Sequence, residues 1–340
     1  MNLLIICKRK IMKLINILSS RLFQPSLRLK MTAGRQPSIL SDYGYFRKLA
    51  APAQMLAFIT SFSITSLLGN IDEVGRTHGN LTEPTEFVIV VLSYNNENKW
   101  AERNLDSLIN QRTSRPYRII CVNDCSSDKT GAIMDNYVKK HKLPESFVKL
   151  IHNKKRVGAL ANLYNTVHEQ CKDHEVVVLM DGDDALAHRN ILARLEKEYS
   201  DPDLWLTYWQ FVFYPGAQWG TVFEITREQL EKRLVRTIPY VSQHLRTFKA
   251  GLFKKIQKEH LMANGEFFSM NADMATMIPM LEMCAPKDAS SPMHCKFIPD
   301  ILYIYNYVNP ISDFRVDRPL QLELEKVIRA IKPYEPLDML

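Results

Sequence analysis

Four apolar runs punctuate the middle of the chain at Phe87 to Leu92, Arg118 to Val122, Phe147 to Ile151 and Val176 to Met180, each short enough for a buried strand. Between and after them the apolar residues fall at helical spacing. From Asn98 to Gln111, Ala101, Leu105, Leu108 and Ile109 share a face; from Asp128 to His141, Ile133, Met134, Tyr137 and Val138 do so, with Ser126 to Asp128 as cap residues. Leu160, Leu163, Tyr164, Val167 and Cys171 mark a third helix, and Ile191, Leu192 and Leu195 a fourth. The order is β-α-β-α-β-α-β-α. Continuous apolar strands alternating with amphipathic helices predict an α/β fold whose mostly parallel sheet carries helices on both faces. Ligands of such sheets bind beyond the carboxyl ends of the strands, so chemistry is expected there.

The first strand runs out into Ser93-Tyr94-Asn95-Asn96-Glu97, the second into Asn123-Asp124-Cys125-Ser126-Ser127-Asp128, and the fourth into Asp181-Gly182-Asp183-Asp184. Asp, Asn and Ser also serve turns and caps, and Asp128 is read as a helix cap. The fourth motif is more telling. Three carboxylates in four residues repel one another unless a cation or well-placed donors offset their charge. Hard oxygen ligands of this kind suit Mg²⁺ or Mn²⁺, which fill their remaining positions with water and substrate phosphate. The chain has no GxxxxGK[ST] loop, which disfavours a P-loop phosphotransferase.

Charge divides unevenly along the chain. Residues 1–48 hold 10 of the 44 Lys and Arg and a single acid, Asp42, a balance of +9; residues 49–340 are left at −2. A body near neutrality lacks the excess needed to grip a phosphate polymer, so no nucleic-acid partner is expected. From Leu49 to Ile71 no charged residue occurs, a length just sufficient to cross a bilayer, with Arg47 and Lys48 before it and Asp72 and Glu73 after it. This stretch reads as a membrane anchor, as a cleaved signal starting at Met31, as part of a transit segment or as a soluble helix. The protein is accordingly expected either to be membrane-associated through this one segment or to be cytoplasmic. Residues 72–84 read as a linker containing the sequon Asn80-Leu81-Thr82, residues 85–310 as the catalytic domain and residues 311–340 as a helical tail. The six cysteines are scattered without a CxxC pair, so free thiols are expected and no zinc site.

Taken in order, Ser-Tyr-Asn after an apolar strand, Asn-Asp-x-Ser-x-Asp, Arg156-x-Gly158 followed by Asn162, and Asp-x-Asp-Asp resemble the GT-A fold inverting glycosyltransferases of family two over residues 85 to 310. The resemblance implies a Rossmann-like nucleotide-binding sheet and transfer of a single sugar from a nucleoside-diphosphate sugar, UDP-linked by expectation, to an acceptor hydroxyl on a glycan, glycolipid or protein. It implies that Ser93, Tyr94, Asn95, Glu97 and Asp124 hold the nucleoside, with Asp124 accepting from a uracil imide N–H. Arg156, Gly158, Asn162, Asp181 and Gly182 line the donor, and Asp181 and Asp183 coordinate Mn²⁺ or Mg²⁺ against the diphosphate. A cation there stabilises the charge gathering on the leaving group without a proton donor.

The family's catalytic base is an acid preceded by another acid, on the helix after the sheet. Its counterpart is Asp273 in Asn271-Ala272-Asp273-Met274, with Ala272 in place of the usual Glu; Glu266 is the fallback. Gln243-x-x-Arg246 resembles half of the Gln-x-x-Arg-Trp motif of processive synthases, but Thr247 replaces the Trp and no later stretch reaches membrane-span length. His244 and Arg246 are candidates for the acceptor or diphosphate side. The stretch after the last strand, Tyr303 to Asn309, lacks the His often found there, so no metal contact is expected from it. Of the aromatic residues between Trp205 and Trp219, Trp209 and Trp219 are candidates for stacking on the acceptor, while Met274, Met277, Met280 and Met283 read as packing. Two rival readings remain open. A sugar nucleotidyltransferase would need a Gly-rich first loop with a basic residue, and an inactive sugar-nucleotide-binding module is disfavoured by the intact acidic cluster.

Overall fold

The structure is a computed structural model that describes residues 86–97 and 100–340. The segments at 1–48 and 49–71, the linker at 72–84 and its sequon lie outside the described residues. No helix among the described residues is long and apolar enough to cross a membrane.

The first strand, β1 (Phe87–Ser93), reads FVIVVLS and is buried along nearly its whole length. Such a run is stable only between two covered faces, which places it in the interior of a parallel sheet. It pairs in parallel with β2 (Tyr117–Asn123) on one side and β4 (Val176–Asp181) on the other, and β2 pairs in parallel with β3 (Val148–His152). The crossovers are α1 (Trp100–Leu108), α2 (Thr130–Lys140) and α3 (Ala159–Gln170). The predicted strands and helices are thus present, with boundaries shifted by one to three residues.

Beyond β4 the chain forms β5 (Ala185–Leu186), α4 (Ile191–Glu198), β6 (Leu206–Tyr214), α5 (Arg227–Glu231), β7 (Arg246–Lys249) and α6 (Ala250–Lys254). A two-stranded hairpin, β8 (Met262–Ala263) and β9 (Glu266–Phe267), precedes α7 (Ala272–Met283), β10 (Cys295–Asn306), α8 (Asp313–Val316) and α9 (Arg318–Ala330). The eight-stranded sheet has the order β3-β2-β1-β4-β7-β6-β10-β5. Short β7 runs antiparallel between β4 and β6, and β5 runs antiparallel at the edge beside β10. The sheet is therefore mostly parallel.

Two features of the second half bear on the site. Helix α7 is buried on all sides from Met274 to Met283, the four methionines among its packing residues, so its first turn is held by the core behind it. It is further anchored by a buried ion pair in which Arg236 Nε and Nη2 donate to the two carboxylate oxygens of Glu282 at 2.6 and 2.8 Å. The aromatic run on β6 is mostly core. Trp209 is fully buried, its indole N–H donating to Thr207, which removes it as a residue that could touch an acceptor; Trp219 is exposed. Free thiols are found at Cys121, Cys125, Cys171, Cys284 and Cys295.

Candidate active site at the carboxyl edge of the sheet

The loops after β1 and β2 are sewn to each other. Asn95 N–H donates to Ser126 Oγ at 3.0 Å, Ser127 N–H donates to Asn95 Oδ1 at 2.9 Å, Glu97 N–H to Asp128 Oδ2 at 3.0 Å and Lys129 N–H to Glu97 Oε2 at 3.1 Å. Asn95 adopts a left-handed backbone with φ of 53°, which an Asn tolerates better than most residues. Asp128 also accepts from Thr130 N–H at 2.9 Å, but the N-cap position falls to Lys129, so Asp128 acts as a cross-loop tie and not as the cap expected there.

Asp124, just past the end of β2, is buried. Its Oδ1 accepts from Asn153 Nδ2 and Val157 N–H and its Oδ2 from Gly158 N–H, each at 2.9 Å. Burial alone would raise its pKa, but these donors outweigh it and hold the carboxyl below its ordinary value. Three bonds on a group that offers about four acceptor sites leave one for a ligand. Asn162 accepts from the same Asn153 amide at 2.7 Å, and Gly158, with φ of 91°, makes the turn that aims two N–H groups at Asp124. The Arg156 guanidinium lies 3.9 Å above the Tyr94 ring. Five of the expected nucleotide-side residues, Tyr94, Asp124, Arg156, Gly158 and Asn162, thus meet across the loops after β1, β2 and β3 and the first turn of α3.

Gly182 lies against β1, where a Cβ would come within 1.9 Å of Ser93 Oγ, so the acidic turn passes β1 at a distance only glycine permits. Asn104 on α1 fixes that turn by donating to the carbonyls of Asp181 and Asp184 at 3.1 and 3.0 Å. The three carboxylates then diverge. Asp184 is buried and accepts from Tyr303 Oη and Asn306 N–H, both at 2.6 Å. Asp183 accepts from Asn309 Nδ2 at 2.6 Å and from Asn306 Nδ2 at 3.4 Å. Asp181, about a third exposed, faces the cleft; Arg246 Nη2 lies 3.3 Å and His244 Nδ1 3.7 Å from its Oδ2. Burial raises the pKa of all three acids, assisted by their mutual repulsion at Asp183, which is pushed to about 6, and at Asp184, and by the charge of Asp273 at Asp181.

Ligand atoms of Asp181, Asp184 and His244 lie within 4.8 Å of one another. Burial and the nearby Arg246 keep the His244 imidazole neutral, the form in which it ligates metals. Two carboxylates and an imidazole are a donor set that suits Mn²⁺. Asp183, in the same turn after β4, stands beside this group rather than within it. The loop after β10, from which no metal contact is expected, reaches Asp183 through the amides of Asn306 and Asn309. Sequence reading missed these two residues and Asn104, since Asn carries no metal or base signature of its own.

Arg246 at the start of β7 is almost wholly buried, and its Nε has no partner among the described residues. It stands in the electrostatic reach of both Asp181 and Asp273, and Gln243 turns away to donate to Thr221. Asp273 sits in the first turn of α7 beside Tyr240. A further acid, Asp313 on α8, accepts from Asn271 N–H at 3.4 Å, immediately before the Asp273 helix, and was not singled out by the sequence. Glu266 lies on the exposed β8–β9 hairpin.

Residues 88–257, half of the chain, match the family model described as glycosyl transferase family 2. The chain belongs to glycosyl transferase family 2. No curated protein matches this family 2 chain. Among solved structures it is similar to S. aureus TarS 1–349 in complex with UDP-GlcNAc, with 19% identity over 72% of this chain and 65% of that one and a TM-score of 0.51. It also matches the mannosyltransferase PcManGT from Pyrobaculum calidifontis in complex with GDP-Man and Mn²⁺, with 18% identity over 83% of this chain and 74% of that one and a TM-score of 0.48. The chain spans 60% of another TarS 1–349 structure and 40% of the longer TarS structure. The expected α/β fold is the one shared with the TarS 1–349 complex with UDP-GlcNAc.

Proposed function

We propose that this family 2 chain transfers one sugar, with inversion, from a UDP-sugar to an acceptor hydroxyl with the help of a divalent cation. The observation that carries the reading is the meeting of Asp181, Asp184 and His244 within 4.8 Å at the carboxyl end of β4, flanked by Arg246 and facing the first turn of α7. The TarS neighbour is a complex with a nucleotide sugar of the proposed class.

In this reading the uracil imide N–H fills the acceptor site left on Asp124, and the Tyr94–Arg156 stack walls the nucleoside. The diphosphate lies over Gly182 towards Arg246, whose unpartnered Nε offers a buried charged donor. Asp181 and His244, with Asp183 and Asp184 at the same turn, would hold Mn²⁺ or Mg²⁺, which supplies Lewis-acid stabilisation of the leaving diphosphate. Asp273 takes the proton from the acceptor hydroxyl as that oxygen bonds to the anomeric carbon. The bond from that carbon to the diphosphate oxygen breaks from the opposite face, and the nucleoside diphosphate leaves carrying the electron pair.

The deciding experiment incubates the full chain with UDP-sugars and Mn²⁺ and measures donor hydrolysis and transfer. Asp183→Ala is expected to abolish both transfer and UDP-stimulated metal binding. Full transfer by that variant removes Asp183 from the cation site, and full transfer after the metal is chelated removes the cation from the mechanism.

A further inference from the structure

We infer that Asn309 is a positioning residue for Asp183, locking that carboxylate into the orientation in which it serves the cation site. The inference rests on the cation reading proposed above.

The geometry is specific at every polar atom of the Asn309 side chain. Its Nδ2 donates to Asp183 Oδ2 at 2.6 Å, and its Oδ1 accepts from Ile311 N–H at 3.1 Å. With a carboxylate at one end of the amide and a backbone N–H at the other, only one orientation of the group satisfies both. Ser312 Oγ donates to the Asn309 carbonyl at 3.1 Å, so the backbone beneath is fixed too. Asn306 adds a second, longer bond to the same Oδ2 at 3.4 Å, while its own N–H holds Asp184 at 2.6 Å. Both asparagines are buried. Their donors converge on one oxygen of Asp183 and leave Oδ1 outside the clamp.

The chemistry of the clamp matters as much as its shape. A lysine or arginine in this place would neutralise Asp183 and compete with a divalent ion. An amide donor orients the carboxylate and eases its ionisation while leaving the full negative charge available. The same loop continues through Ile311 to Asp313, which holds the backbone before the Asp273 helix. Asn309 therefore sits on a loop that hydrogen-bonds both to the acidic turn, through Asp183, and to the backbone before the helix of the proposed base.

The test is a titration of the full chain with Mn²⁺, read by the loss of the free-ion electron paramagnetic resonance signal, with and without UDP and with no acceptor present. Asn309→Ala and the near-isosteric Asn309→Leu, which cannot donate, are expected to weaken Mn²⁺ binding roughly 10- to 100-fold, as removal of an outer-shell partner of a metal ligand typically does. Ser312→Ala, which loosens the same loop without touching Asp183, is expected to bind Mn²⁺ like the parent. Should either folded Asn309 variant bind within twofold of the parent, or Ser312→Ala lose as much as they do, the positioning role is overturned. Asp183→Ala separates the two levels. If it keeps parental affinity the present inference falls, and if Asp181→Ala keeps it as well the cation reading itself fails; if Asp183→Ala loses binding while the Asn309 variants do not, only the present inference falls.

Discussion

Arg246 Nη2 and Asp181 Oδ2 lie 3.3 Å apart, so a fixed guanidinium charge stands against the acid that closes β4. The pair places opposite demands on the two charged visitors the site is proposed to receive. A guanidinium that attracts a diphosphate also repels a bare divalent ion. Arg246→Met is therefore expected to tighten Mn²⁺ binding in the absence of nucleotide and to weaken UDP binding, each by about tenfold on Coulombic grounds. Isothermal titration of each ligand alone checks the signs. Weaker binding of both would mean that the arginine serves only to hold the fold.

Asp273 is the group proposed to receive the acceptor proton, and its place in the first turn of a buried helix makes it replaceable without moving its neighbours. Asp273→Asn should leave the donor Kd within about twofold and lower kcat by about 10²- to 10⁴-fold, the usual contribution of a general base. Donor affinity by titration and turnover with saturating donor measure the two separately, and normal turnover would assign the role elsewhere.

The acidic turn makes a prediction about pH. Burial, repulsion among these acids and the charge of Asp273 raise the carboxyls of Asp181, Asp183 and Asp184 above the ordinary range, that of Asp183 to about 6. Between the unfolded Asp value and about 6 the folded chain binds more protons than the unfolded one, so these groups make stability fall as the pH rises through that window. A cation that takes the place of the protons should reverse the loss. The thermal midpoint is expected to rise with added Mn²⁺ at pH 7 and hardly at all at pH 5. An equal gain at both pH values would contradict the account.

Glu282 lies at the far end of the helix that Asp273 begins. It accepts from Arg236 through both oxygens, and its Oε2 also accepts from Tyr334 N–H at 3.0 Å. Replacing it leaves a buried guanidinium that retains only its bond to the Ile328 carbonyl. Glu282→Ala should cost about 3–5 kcal/mol of unfolding free energy, measured by urea denaturation, without raising the donor KM of the protein that remains folded.

How much of this was legible beforehand follows from where each signal lies along the chain. The strands β1 to β4 were readable because burial on both faces writes itself as unbroken runs such as Phe87 to Leu92, and their ends pointed to Tyr94, Asp124 and Asp181. Strand β7 was not, since four residues opening on a buried arginine, Arg246 to Lys249, look polar until Asp181 is placed opposite them. Asn306 and Asn309 act on Asp183 across more than 120 residues, a relation that spacing does not carry. The aromatic run of β6 misled in a different way. Trp209 resembles a sugar-stacking residue in sequence, yet a strand flanked by β7 and β10 buries it entirely.

The reciprocal bonds that join Asn95 and Glu97 to Ser126, Ser127, Asp128 and Lys129 carry a lesson for redesign. Two stretches some thirty residues apart behave as one moulded part, each supplying the partners that give the other its shape. Grafting only one of them from a homologue with another donor preference would break the seam and scramble both, whereas transplanting the pair together conserves it. The two loops are thus one unit of structure, to be exchanged whole.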